Sequence, residues 1–157
     1  MKIRAATSDD IPRLIEVERA SSGAAHWSEQ HYRAAIDAES GGPERLVLVA
    51  EISSPAQGSE NVLAGFSVAR RLSPEWELEN IVVAPDVRRQ GIAAQLLEAL
   101  LLRARETNSE SVFLEVRESN APARALYENA GFRMTGRRQG YYSTPAEDAI
   151  LYRLALL

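Results

Sequence analysis

Residues 77–105 read ELENIVVAPDVRRQGIAAQLLEALLLRAR, and the rest of the chain can be interpreted outward from them. The apolar, β-branched residues 78–83 predict a strand, which Ala84-Pro85-Asp86 ends. The turn that follows contains Gly91, a residue without a Cβ that lets a ligand approach the backbone closely. After the turn, apolar residues recur at helical spacing and predict a long amphipathic helix. These apolar positions are Ile92, Leu96, Leu97, Leu100, Leu101 and Ala104.

The turn between this strand and this helix has the properties of an anion site. The first N–H groups of a helix have no partner inside the helix, and the helix dipole adds positive potential at the same end. Arg88 and Arg89 add two cations, which favours a phosphate or pyrophosphate. The turn lacks the lysine and hydroxyl residue of an NTP-binding loop and the three glycines of a dinucleotide-binding turn. The alternative is an ordinary strand-to-helix connection with solvated arginines.

Composition narrows the class of protein. The chain has 157 residues, 45% hydrophobic and 25% charged, so we expect one globular domain over residues 1–157. Apolar runs are too short for a membrane span and the N-terminal stretch does not resemble an export signal, so we expect a cytoplasmic protein. The lack of cysteine excludes disulfides and thiolate metal sites, and His26 and His31 are too few for a histidine-rich metal site. The net charge of −4 argues against general nucleic-acid binding.

Periodicity and turn residues predict the remaining elements. The other predicted strands cover residues 2–5, 46–52, 62–72, 111–117, 132–138 and 148–155, and the other predicted helices cover about 11–20, 28–38 and 120–129. Residues 21–25 and 53–61 are predicted loops, and Gly65 inside a strand indicates a bulge. The resulting order is strand, two helices, three strands, helix, strand, helix, two strands.

One motif and this order of elements connect the chain to a known family. The turn fits Arg/Gln-x-x-Gly-x-Gly/Ala, as Arg88-x-x-Gly91-x-Ala93, behind a hydrophobic strand. It resembles the turn on which GCN5-related N-acetyltransferases hold the pyrophosphate of acetyl-CoA, and the order of elements is also theirs. The resemblance implies an α/β fold with a mixed sheet of about seven strands and four helices. In that fold, the strands carrying Ile81 and Glu115 are parallel neighbours that splay apart.

The resemblance also implies where acetyl-CoA binds, with no metal required. The phosphates would lie on the turn, the pantetheine arm would bond the backbone of the central strand in the gap, and Asn120 would bond CoA. Taken alone, Asn120 is equally well explained as a helix cap. The residues implied for acetyl-CoA are Ile81, Val82, Val83, Arg88, Arg89, Gln90, Gly91, Ile92, Ala93, Ala94 and Asn120.

The most specific stretch is LEVRESN at residues 114–120, followed by ALYENAGF at 125–132. With Trp27-Ser28-Glu29 and residues 137–150, it resembles the bacterial branch of the family that acetylates the N-terminal alanine of a ribosomal protein. The resemblance implies Glu115 as general base and Tyr127 as general acid. The alternatives are a solvated Glu115 paired with Arg117 and a Tyr127 that serves only in the core.

The acceptor side is less well defined by the sequence. The resemblance puts Trp27, Tyr141 and Tyr142 in loops around the acceptor, where an aromatic-lined opening would suit a peptide N-terminus. Glu77 and Glu79, expected on the same strand face as Ile81, are a second candidate base pair, or else a solvated acidic edge. Two rival functions stay open, a small-molecule amine N-acetyltransferase and a CoA-binding module without turnover.

Overall fold

A computed structural model describes residues 1–21, 26–37, 41–54, 58 and 60–156. The strands in these residues are β1 (Lys2–Ala5), β2 (Arg45–Ser54), β3 (Glu60–Leu72), β4 (Glu75–Val83), β5 (Ser111–Arg117), β6 (Arg133–Ser143) and β7 (Ala146–Ala155). The helices are α1 (Ile11–Arg19), α2 (Glu29–Ile36), α3 (Ile92–Glu106) and α4 (Ala121–Asn129). The seven strands form one mixed sheet in the order β1-β2-β3-β4-β5-β7-β6. The predicted α/β fold with seven strands and four helices is therefore confirmed.

The parallel pair at the centre of the sheet separates after three residues. All other neighbouring strands are antiparallel, whereas β4 and β5 are parallel and pair only from Glu75↔Ser111 to Glu77↔Phe113. Beyond these pairs β4 continues to Val83 and β5 to Arg117 without a bond between them. The predicted splayed gap is thus present.

A bulge in β4 turns the residues that border the gap. Its register with β3 passes from Ala69↔Leu78 to Val68↔Asn80, so Glu79 is an extra residue. An extra residue breaks the alternation of side chains along a strand. Leu78 and Ile81 therefore both pack on the same core cluster, whereas Glu79 points to the other face. The prediction that Glu77 and Glu79 share a face with Ile81 is wrong for this reason.

The two faces of the sheet carry separate parts of the core. Helix α3 and Tyr127 of α4 pack on one face, and α1 and α2 pack on the other. Every apolar position predicted for the inner side of α3 is buried. Full burial of such a side chain contributes about 1.5–3 kcal/mol, so this helix holds the gap-forming strands in place. No helix in the described ranges is long and apolar enough to cross a membrane.

Gly65 allows β3 to close against the end of β4. A Cβ at this position would lie 2.8 Å from the carbonyl oxygen of Val82 and 3.3 Å from Cγ2 of Ile92. The register of β2 with β3 also shifts here, from Ala50↔Gly65 to Glu51↔Leu63. The predicted bulge at Gly65 is confirmed, and it sits behind the strand end that faces the gap.

Several elements differ from their predicted limits, β6 by the most. Strand β6 continues to Ser143 because a register shift after Arg138 lets it pair with β7 up to Ser143↔Ala146. Tyr141 and Tyr142 consequently lie in a strand, and their prediction as loop residues is wrong. Helix α2 ends at Ile36, while its predicted last residue, position 38, lies outside the described residues. Residues 22–25, 55–57 and 59 of the two predicted loops also lie outside them.

Candidate active site

The turn after β4 presents a run of backbone donors. After a short 3₁₀ turn at Pro85–Val87, Arg89 and Gly91 both take positive φ angles, 64° and 77°. The first bond of α3 runs from the N–H of Gln95 to the carbonyl of Gly91, at 3.1 Å. The N–H groups of residues 89–94 donate to no residue that the structure describes. Consecutive free N–H groups at the start of a 15-residue helix are suited to binding an anion.

Gly91 is open to an incoming ligand. A Cβ built at this residue meets no atom within 4 Å, so the packing of the chain itself does not demand a glycine. Its left-handed backbone favours glycine, and its position at the N-cap of α3 puts it beside the free N–H groups. The residues present thus fit a phosphate group held mainly by backbone.

The two predicted cations of the turn have different surroundings. Nε of Arg88 donates to the carbonyl of Val83 at 3.2 Å, and its Nη2 donates to Oγ of Ser21 at 3.1 Å. Arg88 therefore ties the end of β4 to the end of α1. Arg89 and Gln90 are exposed on the turn. Arg89 is the cation that remains available to a ligand there.

The edge of β4 that faces the gap carries backbone groups that do not pair with β3, at alternate residues, although the Val83 carbonyl already accepts from Arg88. The N–H of Ala84 donates to the carbonyl of Ala64 in β3 at 2.8 Å. Because antiparallel pairing alternates, Val82 also turns its backbone groups to β3, while Ile81 and Val83 turn theirs toward β5. With β5 splayed away, Ile81 and Val83 are the residues of the predicted set whose backbone an extended ligand in the gap can reach.

Glu115 stands on β5, on the side of the gap opposite the α3 core. Its side chain is 17% exposed, and its Oε1 lies 3.2 Å from Nη2 of Arg138 on β6. Arg117 instead pairs with Glu147 at 3.3 Å. The alternative that pairs Glu115 with Arg117 is therefore wrong.

Tyr127 is a buried tyrosine whose hydroxyl is left free. The residue is 5% exposed and its ring packs on those of Phe132 and Tyr152, at centroid distances of 5.9 and 6.2 Å. Its hydroxyl makes no hydrogen bond within the described part of the chain, yet it is not among the fully buried atoms left without a partner. Burial first, and the neighbouring Tyr142 second, raise the pKa of Tyr127.

Tyr142 connects the predicted base and the predicted acid. Burial first, and the charge of Glu115 next, raise the pKa of Tyr142, and Tyr142 in turn acts on Tyr127. The Arg117 guanidinium lies 4.2 Å from the centre of the Tyr142 ring, and the Tyr141 ring lies edge-on at 5.1 Å. The structure thus brings Glu115, Tyr127 and the two strand tyrosines into one region.

A second group of site side chains, which includes Trp27, lies on the α1–α2 side of the sheet. The Arg45 guanidinium lies 5.7 Å from the Trp27 ring centre, and its Nε lies 2.9 Å from Oε1 of Glu79. Nε of Arg70 lies 2.7 Å from Oε1 of Glu77. Both carboxylates are mostly buried, with side chains 14% and 18% exposed, and each has its own arginine. They do not form a solvated acidic edge.

Asn120 has the capping role that its sequence position predicts. Its side chain accepts a hydrogen bond from the N–H of Ala123 at 3.2 Å, at the start of α4. Its predicted contact with CoA stays a prediction.

Two residues of this region were not singled out by the sequence. Arg45 holds the Glu79 carboxylate and has no distinctive sequence context. Asn80 is buried in β4, and its Nδ2 has no hydrogen-bond partner among the described residues. A polar amide within the apolar segment of residues 78–83 was the available signal.

Comparisons with known proteins identify the family of the chain. Residues 11–132 match the model of the acetyltransferase (GNAT) family. The ribosomal protein bS18-alanine N-acetyltransferase of Escherichia coli K12 is 41% identical over 96 residues, which cover 60% of this chain and 65% of that enzyme. The N-alpha-acetyltransferase of Saccharolobus solfataricus is 31% identical over 153 residues, covering 95% of this chain and 89% of that one.

A solved structure extends the likeness to the full fold. The crystal structure of the ribosomal-protein-S18-alanine N-acetyltransferase from Escherichia coli superposes with a TM-score of 0.79 at 30% identity, covering 99% of this chain and 93% of that one. The matched family model spans β3, β4, the turn, α3, β5 and α4, which together build the gap. The chain belongs to the acetyltransferase (GNAT) family.

Proposed function

We propose that the protein transfers an acetyl group from acetyl-CoA to the N-terminal α-amine of a protein, by direct attack in a ternary complex. The acceptor would begin with alanine and would be a ribosomal protein. One observation carries the proposal: a mostly buried carboxylate, Glu115, and a buried phenol, Tyr127, whose hydroxyl binds no described residue, border an open strand gap and both lie within electrostatic reach of Tyr142. A relative that acetylates bS18 supports the acceptor class, although the sequence alignment spans 65% of that enzyme.

The turn and the gap fit the acetyl donor. The free N–H groups of residues 89–94 would hold the CoA phosphates, with Arg89 as the nearby cation. The backbone of Ile81 and Val83 would hold the extended arm. Acetyl-CoA supplies the acetyl group as an activated thioester. The free N–H of Val83 is suited to stabilise negative charge that develops on the thioester oxygen.

Glu115 would act as the general base. An α-ammonium must lose a proton before its nitrogen can attack, and its pKa of about 7.7–8.0 makes this easier than for lysine at about 10.4. Glu115 can accept that proton directly or through a water. The acceptor ammonium would replace Arg138 as the cationic partner of this carboxylate.

Tyr127 would act as the general acid toward the departing sulfur. The thiol pKa of about 8.5 lies below that of a phenol at about 10, so Tyr127 would stabilise the departing sulfur through a hydrogen bond and donate its proton only as the carbon–sulfur bond breaks. Burial raises the pKa of Tyr127, which keeps the phenol protonated at neutral pH. Since no described side chain binds its hydroxyl, the proton is free to be donated to the ligand.

The walls of the site support a peptide acceptor. Trp27 on the α2 side and Tyr141 and Tyr142 on β6 provide flat, partly apolar surfaces on the face that carries Glu115. Such surfaces suit the first residues of an extended chain more than a small polyamine, which would favour acidic walls. Because ribosomal proteins are made there, the reaction would take place in the cytoplasm.

Acetylation of matched acceptors tests this proposal. The purified protein and acetyl-CoA are incubated with the bS18 N-terminal peptide starting at alanine, with the same peptide blocked at its α-amine and carrying an internal lysine, and with spermidine. Mass spectrometry should find acetyl on the α-amine of the first peptide only. Preferred acetylation of spermidine would support the small-molecule alternative, and acetyl-CoA binding without any turnover would support a binding module.

A further inference from the structure

Asn80 is a buried polar side chain whose hydrogen-bonding needs the protein does not meet. The residue is 8% exposed, and its side chain makes no hydrogen bond to any described residue. Its Nδ2 and Nε of Arg71 are the two fully buried side-chain atoms without a partner in the described ranges. Unsatisfied buried polar groups lower stability and are uncommon, so each one needs a reason.

The packing of neighbouring residues places Asn80 on the face of the sheet that also carries Glu115. Its register partner in β3, Val68, and the next residue on the same side, Val82, both belong to the core cluster under α1 and α2. Apolar side chains therefore surround the carboxamide on the protein side. At the level of Asn80, β5 has already separated from β4, so the residue borders the gap.

Asn80 and Glu115 lie level with each other across that gap. Counting from the last paired residues, Glu77 and Phe113, Glu115 is two residues further along β5. Asn80 is three residues further along β4, and the bulged Glu79 accounts for the difference. Both side chains point to the face opposite the α3 core.

Neighbouring charges leave Asn80 without an internal partner. The Glu79 carboxylate is bound by Arg45, and the Glu115 carboxylate is bound by Arg138. A carboxamide is neutral and accepts an N–H hydrogen bond through its oxygen, but it does not take the proton at neutral pH. It is thus suited to orient an amino group that a carboxylate deprotonates.

We infer that Asn80 is a positioning residue that holds the amino group of the acceptor level with Glu115. The inference rests on the proposed function and adds the residue that aims the attacking nitrogen. The Asn80 oxygen accepts one N–H of the α-amine, which leaves another N–H directed at Glu115. The oxygen makes no hydrogen bond to a described residue in the free protein and gains one when the acceptor binds, whereas Nδ2 stays buried without a described partner, which is the stability cost of placing the oxygen there.

The test asks whether the Tm of an Asn80 variant rises or falls, and measures its kcat/KM for a peptide acceptor. Asn80→Leu keeps the branching at Cγ and removes the unsatisfied group, so Tm should rise, by roughly 2–4 °C for each kcal/mol gained. The kcat/KM for an alanine-starting peptide should fall by at least about tenfold, as expected for a lost hydrogen bond to a charged group. Acetyl-CoA affinity, measured by calorimetry without peptide, should stay at the wild-type value.

Ser111→Ala is the matched control. Ser111 is fully buried on the same face of β5, but at the closed end of the strand pair, and its hydroxyl is bound to Glu75. Losing this satisfied hydroxyl should lower Tm and leave peptide kcat/KM unchanged. If Asn80→Leu does not fold, Asn80→Ala takes its place and is evaluated by peptide kcat/KM against acetyl-CoA affinity.

The outcomes separate this inference from the proposed function. An active wild type with unchanged peptide kcat/KM in a folded Asn80 variant overturns the inference alone. A lowered Tm with equal losses for peptide and acetyl-CoA makes Asn80 an ordinary core residue and also overturns it. A wild type without turnover on any α-amine peptide refutes the proposed function, and the inference fails with it.

Discussion

Nη2 of Arg138 lies 3.2 Å from Oε1 of Glu115, so a cation of the protein itself holds the candidate base. The Arg138 side chain is 55% exposed, and its guanidinium lies 5.3 Å from the centre of the Tyr141 ring. An α-ammonium needs the same carboxylate. We therefore expect Arg138 and the acceptor to compete for Glu115.

Arg138→Gln should lower the KM for an alanine-starting peptide. Exposed ion pairs contribute about 0–1 kcal/mol, so the decrease should reach at most about fivefold. Arg137→Gln is the control because Arg137 points the other way, to Glu118 and Asp148 at 2.7 and 2.8 Å. Steady-state kinetics should show a changed KM in the first variant only, and a raised KM in Arg138→Gln would mean that Arg138 binds the acceptor.

Tyr127→Phe should reduce kcat while acetyl-CoA affinity and Tm stay near wild type. Only an unpartnered hydroxyl is lost, and a general acid contributes about 10²–10⁴-fold. Tyr152→Phe is the counterpart, because the Tyr152 hydroxyl is bound to Arg124 at 3.0 Å and to Glu128 at 2.7 Å. That variant should lose stability and keep its rate. A wild-type rate in Tyr127→Phe would make Tyr127 a packing residue.

The dependence of the wild-type kcat on alkaline pH tests whether Tyr127 is protonated. Burial raises the pKa of Tyr127 above its ordinary value of about 10, so the phenol stays protonated below that pH. We expect kcat to show no decline between about pH 8.5 and pH 10. A decline centred near pH 9 that disappears in Tyr127→Phe would show a lowered pKa instead.

Gly91→Ala should weaken acetyl-CoA binding at least about tenfold if phosphate contacts the turn backbone, because a Cβ would then meet the ligand. Gly41 is a matched control, with a φ of 79° against 77° for Gly91 and no atom within 4 Å of a built Cβ at either residue. Both substitutions place alanine in the left-handed region, at a similar cost of about 1–2 kcal/mol. Calorimetry should find reduced affinity in Gly91→Ala only, and equal affinities would refute the phosphate turn.

Local patterns were enough to predict the elements and the inner face of α3. Hydrophobic periodicity marks residues such as Leu96 and Leu100, and both are fully buried. The cap at Asn120 follows from its residue type before a helix. These features could be predicted because they depend on residues that are only a few positions apart in the sequence.

Features that depend on register were not predictable in the same way. The bulge at Glu79 changes which side chains of β4 face the gap, and no residue type in the sequence predicts a bulge at this position. Likewise the pairing of Glu115 with Arg138 joins positions 23 residues apart through a neighbouring hairpin, whereas the sequence alone favours the nearby Arg117. The sequence predicts a loop at Tyr142 because the irregular pairing of β6 leaves no regular strand pattern there.

The central claim, that Glu115 is the general base, is tested most directly by kcat/KM against pH for Glu115→Gln on one alanine-starting peptide, with Glu77→Gln and Glu79→Gln as comparisons. The account predicts a loss of about 10²–10⁴-fold near pH 7 for Glu115→Gln, where the acceptor amine is mostly protonated. The rate should recover partly as pH rises through about 8, because a free amine no longer needs a base. Glu77→Gln and Glu79→Gln should keep the wild-type profile shape, since Arg70 and Arg45 hold these carboxylates at 2.7 and 2.9 Å and are less exposed, at 35% and 20%, than the 55% exposed Arg138 beside Glu115. A mild, pH-independent effect in Glu115→Gln, or the pH-dependent loss in Glu77→Gln or Glu79→Gln, would contradict the account.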